Sequence, residues 1–192
     1  EDPRKSHQPA KGQRMIVIIS DDRKGRFGIA LKEAADRTGA QAVYFAANTL
    51  HIKPCAACGS CSGKTYGRCV IPDDMQQVLP KIAGCRALVL VSPVVFGGVS
   101  HHIKKVMDRM AAVGDPRYQV SGGELVKGMS GQGMSYYMVG TGDKLGETER
   151  SAFLFLHKEN RNIMNTRGKA FLLHSSPDQA VIDNIAQEIA HE

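Results

Sequence analysis

Cys55, Cys58, Cys61 and Cys69 fall within fifteen positions in the pattern Cys-x2-Cys-x2-Cys-x7-Cys. Thiolates three residues apart on an irregular backbone can converge on one centre, and a fourth from a short excursion completes a ring of ligands around a cubane. Gly59, Gly63 and Gly67 permit the tight turns this needs. The spacing is not that of paired zinc knuckles, whose two Cys-x2-Cys units stand about 15 to 20 residues apart. Three readings stay open: a 4Fe-4S cluster, a tetrahedral zinc on the same thiolates, and free or paired thiols without metal. The fifth cysteine, Cys85, opens an apolar run elsewhere and reads as a small core residue.

Such a loop needs a frame. Residues 15–20 and 86–92 are β-branched apolar runs of the kind that form buried parallel strands, and further strands are expected at 41–46, 135–139 and 169–174. Phe27, Ala30, Leu31 and Ala34 recur at helical spacing before Gly39, a helix-closing residue. Ser100 is an N-cap for a helix turning Ile103, Val106, Met107 and Met110 inward. Helices are also expected at 73–83, bent or restarted at Pro80, at 147–164, and after Ser176-Pro177. In the last, Gln179 completes a capping box and Ile182, Ile185, Ala186 and Ile189 form the buried stripe. Five strands alternating with five helices predict an α/β fold, a doubly wound five-stranded parallel sheet in the flavodoxin-like order 2-1-3-4-5.

Ligands of such sheets bind beyond the carboxyl ends of the strands, where the order reverses. The irregular sequence lies there, at 20–28, 47–72, 93–100 and 140–147 after the first four strands. The second of these is a cysteine-rich insertion of 26 residues with no strand or helix pattern. Loops beyond about 12 to 15 residues in compact domains are usually functional.

Composition excludes several classes. With 192 residues, 42% apolar and 23% charged, the chain suits one globular domain, neither disordered nor collagen-like. Its apolar runs, such as 15–19 and 87–91, are far short of the roughly 18 residues that span a bilayer, so no membrane partner is expected. The net charge of +6 is scattered and aromatics make up only 6%, which speaks against nucleic acid. An odd number of clustered cysteines suits a reducing compartment, the cytoplasm by default. Residues 1–14, with Arg4, Lys5, Lys11 and Arg14, read as a basic tail or expression remnant ahead of a domain at 15–192, without a signal-peptide apolar stretch.

Cys55 through Cys69, with Asp73-Asp74-Met75, Ser92-Pro93-Val94-Val95-Phe96-Gly97-Gly98-Val99-Ser100 and Lys104 to Asp108-Arg109, resembles the iron-sulfur flavoprotein branch of the NADPH-dependent FMN reductase family. The resemblance covers about residues 15–147. It implies a flavodoxin-like fold, bound FMN, a 4Fe-4S cluster on the four cysteines, and a homodimer or homotetramer. By position it lays Pro93, Val94, Phe96, Gly97 and Ser100 along the isoalloxazine ring, with Gly140, Thr141, Gly142 and Glu147 at a second ring-side loop. A Pro- and Gly-rich backbone brings bare amides close to a flat ring, although Phe96-Gly97-Gly98 reads equally as a plain strand-to-helix turn. The phosphate loop departs from the family pattern, because Phe27 and Gly28 stand where Asn and Thr are expected. Ser20, Arg23, Lys24, Gly25 and Arg26 are the candidates for holding the phosphate. Asp21 and Asp22 oppose it, each by about 1 kcal/mol at ~4 Å. Val95 replaces a commonly aromatic position.

Plainer roles are expected for His101 and His102, a solvated first turn, and for Asp73-Asp74, a helix cap. Asp108-Arg109 reads as a structural ion pair or subunit contact, and the Met- and Tyr-rich segment 129–138 as core. The leading functional expectation is an FMN- and 4Fe-4S-dependent electron-transfer protein with a redox partner such as ferredoxin or NAD(P)H. Its rivals are an NAD(P)H-dependent FMN or quinone reductase without a cluster, and a non-catalytic zinc-stabilised flavodoxin-like scaffold.

Overall fold

In the computed structural model, residues 15–22, 26–127 and 133–191 are described. The elements run β1 (Ile16–Ser20), α1 (Arg26–Arg37), β2 (Ala42–Ala46), α2 (Met75–Gly84), β3 (Ala87–Pro93), α3 (His101–Arg109), β4 (Gln119–Ser121), β5 (Glu124–Val126), β6 (Ser135–Thr141), α4 (Glu147–Ile163), β7 (Ala170–Leu173) and α5 (Gln179–His191). Nearly unbroken apolar sequence buries β1, β3 and β6 on both faces, which makes them the interior strands. They join β2 and β7 in a parallel sheet of order β2-β1-β3-β6-β7. Counting the sheet strands alone, this is the expected flavodoxin-like 2-1-3-4-5 order.

Alternation along the strands divides the core into two layers. Val17, Ile19, Leu88, Leu90, Tyr136 and Met138 pack against α2, α3 and Phe153 of α4. Ile16, Ile18, Val89, Val91, Tyr137 and Val139 face α1 and α5, where Ile182, Ile185, Ala186 and Ile189 form the expected stripe. Cys85 is buried, and its thiol is pushed up to about 12 by that burial, so it is the inert core residue expected. Within 129–138, Met134, Tyr136, Tyr137 and Met138 fill core as expected, while Met129 lies outside the described residues.

Several local expectations are corrected. α2 is one helix through Pro80, so the restart is not seen, and Val78, Leu79 and Ile82 keep their burial opposite the exposed Pro80 ring. Gln179 makes no capping box: its amide donates to Asp183 one turn on. The fourth sheet strand runs on past 139 to Thr141, since Gly140 and Thr141 pair with Ser92 and Pro93. The β4–β5 hairpin was not expected. Its strands are short and mostly exposed, and the legible signal was Gly122-Gly123, both at positive φ in a two-residue turn.

Candidate functional site

The carboxyl rim is assembled from backbone outward. After β1, the Asp21 N–H donates to the Val91 carbonyl, tying this strand end to its neighbour. The Ser20 hydroxyl donates to Asp22 Oδ1 at 2.6 Å, and Asp22 Oδ2 accepts the Phe27 N–H at 2.7 Å. Asp22 therefore caps the first turn of α1. Gly28 is fixed by packing: a Cβ there would stand 2.6 Å from both Ser20 Cβ and Tyr44 Cε2. Arg26 opens α1 exposed, whereas Arg23, Lys24 and Gly25 lie outside the described residues.

Beyond β3 the chain makes a two-residue reversal. Val95 and Gly98 exchange backbone hydrogen bonds at 3.0 and 2.8 Å around Phe96 and Gly97, which have φ of 49° and 76°. Phe96 is 96% exposed, unusual for so apolar a residue. Among the described residues the N–H groups of Phe96 and Gly97 have no intramolecular partner, so this turn presents bare donors of the kind a flavin's carbonyl edge takes. The turn is pinned on α4, since a Cβ on Gly97 would lie 2.6 Å from Ala152 Cβ. Pro93 closes β3, and the Val94 N–H donates to the Thr141 carbonyl, joining the two ring-side segments. Gly140 leaves room where Val94, Phe153 and Leu172 meet, and the Gly142 N–H bonds the Leu173 carbonyl. Glu147 begins α4, exposed, behind a Gly146 N–H held by the Glu149 carboxylate. Ser100 caps α3 as expected, its Oγ accepting the Ile103 N–H.

The cysteine loop leaves the same rim, where the Ala47 N–H bonds the Ser20 carbonyl, and is anchored by buried Ala47 and Ile52. Cys55 and Cys58 are exposed, and Cys61 and Cys69 are half-buried against the α2–α3 core. Ala57, Gly59 and Gly67 take positive φ, but Gly63 does not, at −134°. A hydrogen bond with Ser60 holds the Cys58 thiol below its ordinary value. All five cysteines are free, and among the described residues the side chains form no ready-made metal-ligand group. The donor set itself, four thiols on one loop, fits a thiolate-ligated centre by its chemistry.

What fastens this loop is an ion pair between Asp73, expected as a helix cap, and Arg109, expected to act with Asp108. Asp73 and Arg109 are joined through both carboxylate oxygens, with side chains wholly buried. Arg109 Nη1 also donates to the Lys53 carbonyl, and Asp73 accepts the Lys53 and Met75 N–H groups. Asp74 accepts the His51 N–H, and the Gln76 amide donates to the Cys69 and Ile71 carbonyls. Burial would raise the Asp73 carboxyl, but these hydrogen bonds and the guanidinium charge hold it below the usual carboxylate range. Asp108, expected to act with Arg109, pairs instead with Lys104 on the surface. Arg109 ends α3 and Ser100 begins it, so the roots of the loop are clamped on the order of 13 Å along the helix from the ring-side turn. His101 is exposed beside half-exposed His102, in keeping with a solvated first turn.

This architecture is a flavodoxin-like α/β sheet with an elaborated carboxyl rim. A flavodoxin from the domain Archaea shares it, with a TM-score of 0.54 and 13% identity over 92% of this chain and 97% of that one. So does an azoreductase from Bacillus anthracis, with a TM-score of 0.60 and 6% identity over 93% and 94%. The family model for NADPH-dependent FMN reductase matches residues 14–154, and the chain belongs to that family. It is similar to an iron-sulfur flavoprotein of Methanosarcina thermophila, 32% identical over 104 residues, 54% of this chain and 49% of the relative. Another, from Archaeoglobus fulgidus, is 35% identical over 104 residues, 52% of each chain. In Methanocaldococcus jannaschii an iron-sulfur flavoprotein is 43% identical over 58 residues, 30% of this chain and 29% of the relative. The chain thus spans about half or less of the curated relatives it matches.

Proposed function

We propose that this protein is an FMN- and 4Fe-4S-dependent electron-transfer flavoprotein. The observation that carries the reading is the four-cysteine loop rooted at the carboxyl rim of a flavodoxin-like sheet and held at both ends by the buried Asp73–Arg109 pair. The names of the iron-sulfur flavoprotein relatives support it.

A flavin takes up two electrons as a hydride and releases them singly, and a cubane passes one at a time. For the flavin, Pro93, Val94, Phe96, Gly97 and Ser100 form one ring-side segment, and Gly140, Thr141, Gly142 and Glu147 the other. The unpartnered Phe96 and Gly97 N–H groups would donate to the ring's carbonyl edge. Ser20, Arg26 and the segment 23–25 would meet the phosphate. There Asp22 is a poor neighbour, as its carboxylate already holds the helix-terminal Phe27 N–H. For the cluster, Cys55, Cys58, Cys61 and Cys69 would be the ligands. The protein would associate as a homodimer or homotetramer and work in the cytoplasm with a redox partner such as ferredoxin or NAD(P)H.

Optical spectra of protein purified without oxygen test this reading. It predicts broad visible absorbance beyond the flavin bands that bleaches on reduction. Flavin bands alone would select an NAD(P)H-dependent FMN or quinone reductase without a cluster. Bound zinc with neither iron nor flavin would select a zinc-stabilised scaffold.

A further inference from the structure

Arg109 offers five N–H donors, and its surroundings use four. Nη1 donates to the Lys53 carbonyl at 2.9 Å and to Asp73 Oδ2 at 2.7 Å. Nη2 donates to Asp73 Oδ1 at 3.0 Å and to the Ile71 carbonyl at 3.4 Å. The residue is 1% exposed, and its Nε–H is buried without a partner. Native interiors seldom leave a donor orphaned without a reason.

The neighbour that stands ready is Cys69. The Ile71 carbonyl accepts from both Arg109 Nη2 and the Gln76 amide, and the same amide holds the Cys69 carbonyl, which sets Cys69 next to the guanidinium. Against burial, the Asp73 hydrogen bond and the Cys69 side chain favour the charged guanidinium. Cys69 is half-buried against the same core, and the Gln76 amide fixes its carbonyl. The guanidinium also spans the loop, since Lys53 lies just before Cys55 and Ile71 just after Cys69.

We propose that Arg109 is a positioning residue for the redox centre, holding the two ends of the cysteine loop together and keeping its Nε–H for the sulfur of Cys69 when that sulfur ligates iron. The inference rests on the cluster reading above. A donor and a positive charge beside a ligand sulfur favour the more negative, reduced state, so Arg109 raises the reduction potential. A merely structural Arg109 would affect stability and leave the potential alone.

The test compares wild type with Arg109→Lys, both purified without oxygen, by iron content and an EPR-monitored redox titration. Lysine keeps the charge and removes the Nε–H donor of the fork. The expected result is full iron content with the reduced-to-oxidised ratio at fixed ambient potential lower by about tenfold, the scale of one lost hydrogen bond. Full iron content with an unchanged ratio overturns the proposal and leaves the cluster reading standing. Wild type without iron overturns both. Should Arg109→Lys fail to fold or to hold iron, wild type carrying 15N-arginine decides: hyperfine coupling of an arginine nitrogen to the reduced cluster supports the proposal, and its absence refutes it.

Discussion

The Asp22 carboxylate accepts the Phe27 N–H at 2.7 Å, so the chain supplies its own anion to the helix end where a flavin phosphate would otherwise bind. Asp22→Ser keeps a capping oxygen and removes the charge. One unit charge at ~4 Å in water is worth about 1 kcal/mol, so the variant should bind FMN about fivefold more tightly. Riboflavin, which lacks the phosphate, should bind the two proteins alike. Fluorescence titration with both flavins checks this, and an equal change for both would contradict it.

Breaking the Asp73–Arg109 pair strands a buried charge. Arg109→Met should cost about 3–5 kcal/mol, whereas replacing both partners by apolar residues of similar volume should cost much less. Denaturant unfolding of the two single variants and the double variant measures the difference.

The same pair sets an acid limit. Because the Asp73 carboxyl is held below its ordinary value in the fold, the unfolded chain takes up that proton first. Its stabilisation is complete above the ordinary carboxylate pKa of about 3.9 and is lost as pH falls through the lower folded value. Thermal melting of wild type and Asp73→Asn should differ most near neutrality and converge as pH falls below about 4. A gap that widens in acid would refute the assignment.

Gly97 combines positive φ with contact against α4, a Cβ there falling 2.6 Å from Ala152 Cβ. Gly97→Ala should destabilise by about 1–3 kcal/mol and weaken flavin binding by displacing the turn. Chemical denaturation and flavin titration read the two effects separately.

Phe96 is left-handed and nearly fully exposed, a cost that a subunit contact would explain. Phe96→Gly should relieve the backbone and weaken self-association, seen as a shift toward monomer in sedimentation velocity. An unchanged association state would remove Phe96 from the interface.

Much of the frame was legible because its signals are local. The β-branched runs of β1 and β3 and the helical spacing of Phe27, Leu31 and Ala34 need no knowledge of what they pack against. Even so, Gly140 and Thr141 look like loop in the sequence, because a glycine inside a strand resembles its end; only the side chains of Val94, Phe153 and Leu172 explain why Gly belongs there. The clamp on the cysteine loop was hidden for a different reason. Asp73 and Arg109 are separated by 36 positions, and each had a plausible neighbour, Asp74 and Asp108, that satisfied a local rule. Asp22 was visible as an obstacle to phosphate but not as a cap, since that depends on where the first turn of α1 begins.

Iron, acid-labile sulfide and flavin, counted per chain in protein prepared without oxygen, read out both proposed redox centres at once. A chain that holds both centres carries about four iron, about four sulfide and about one FMN. A protein with flavin but no iron, or with zinc in its place, would contradict the cluster reading.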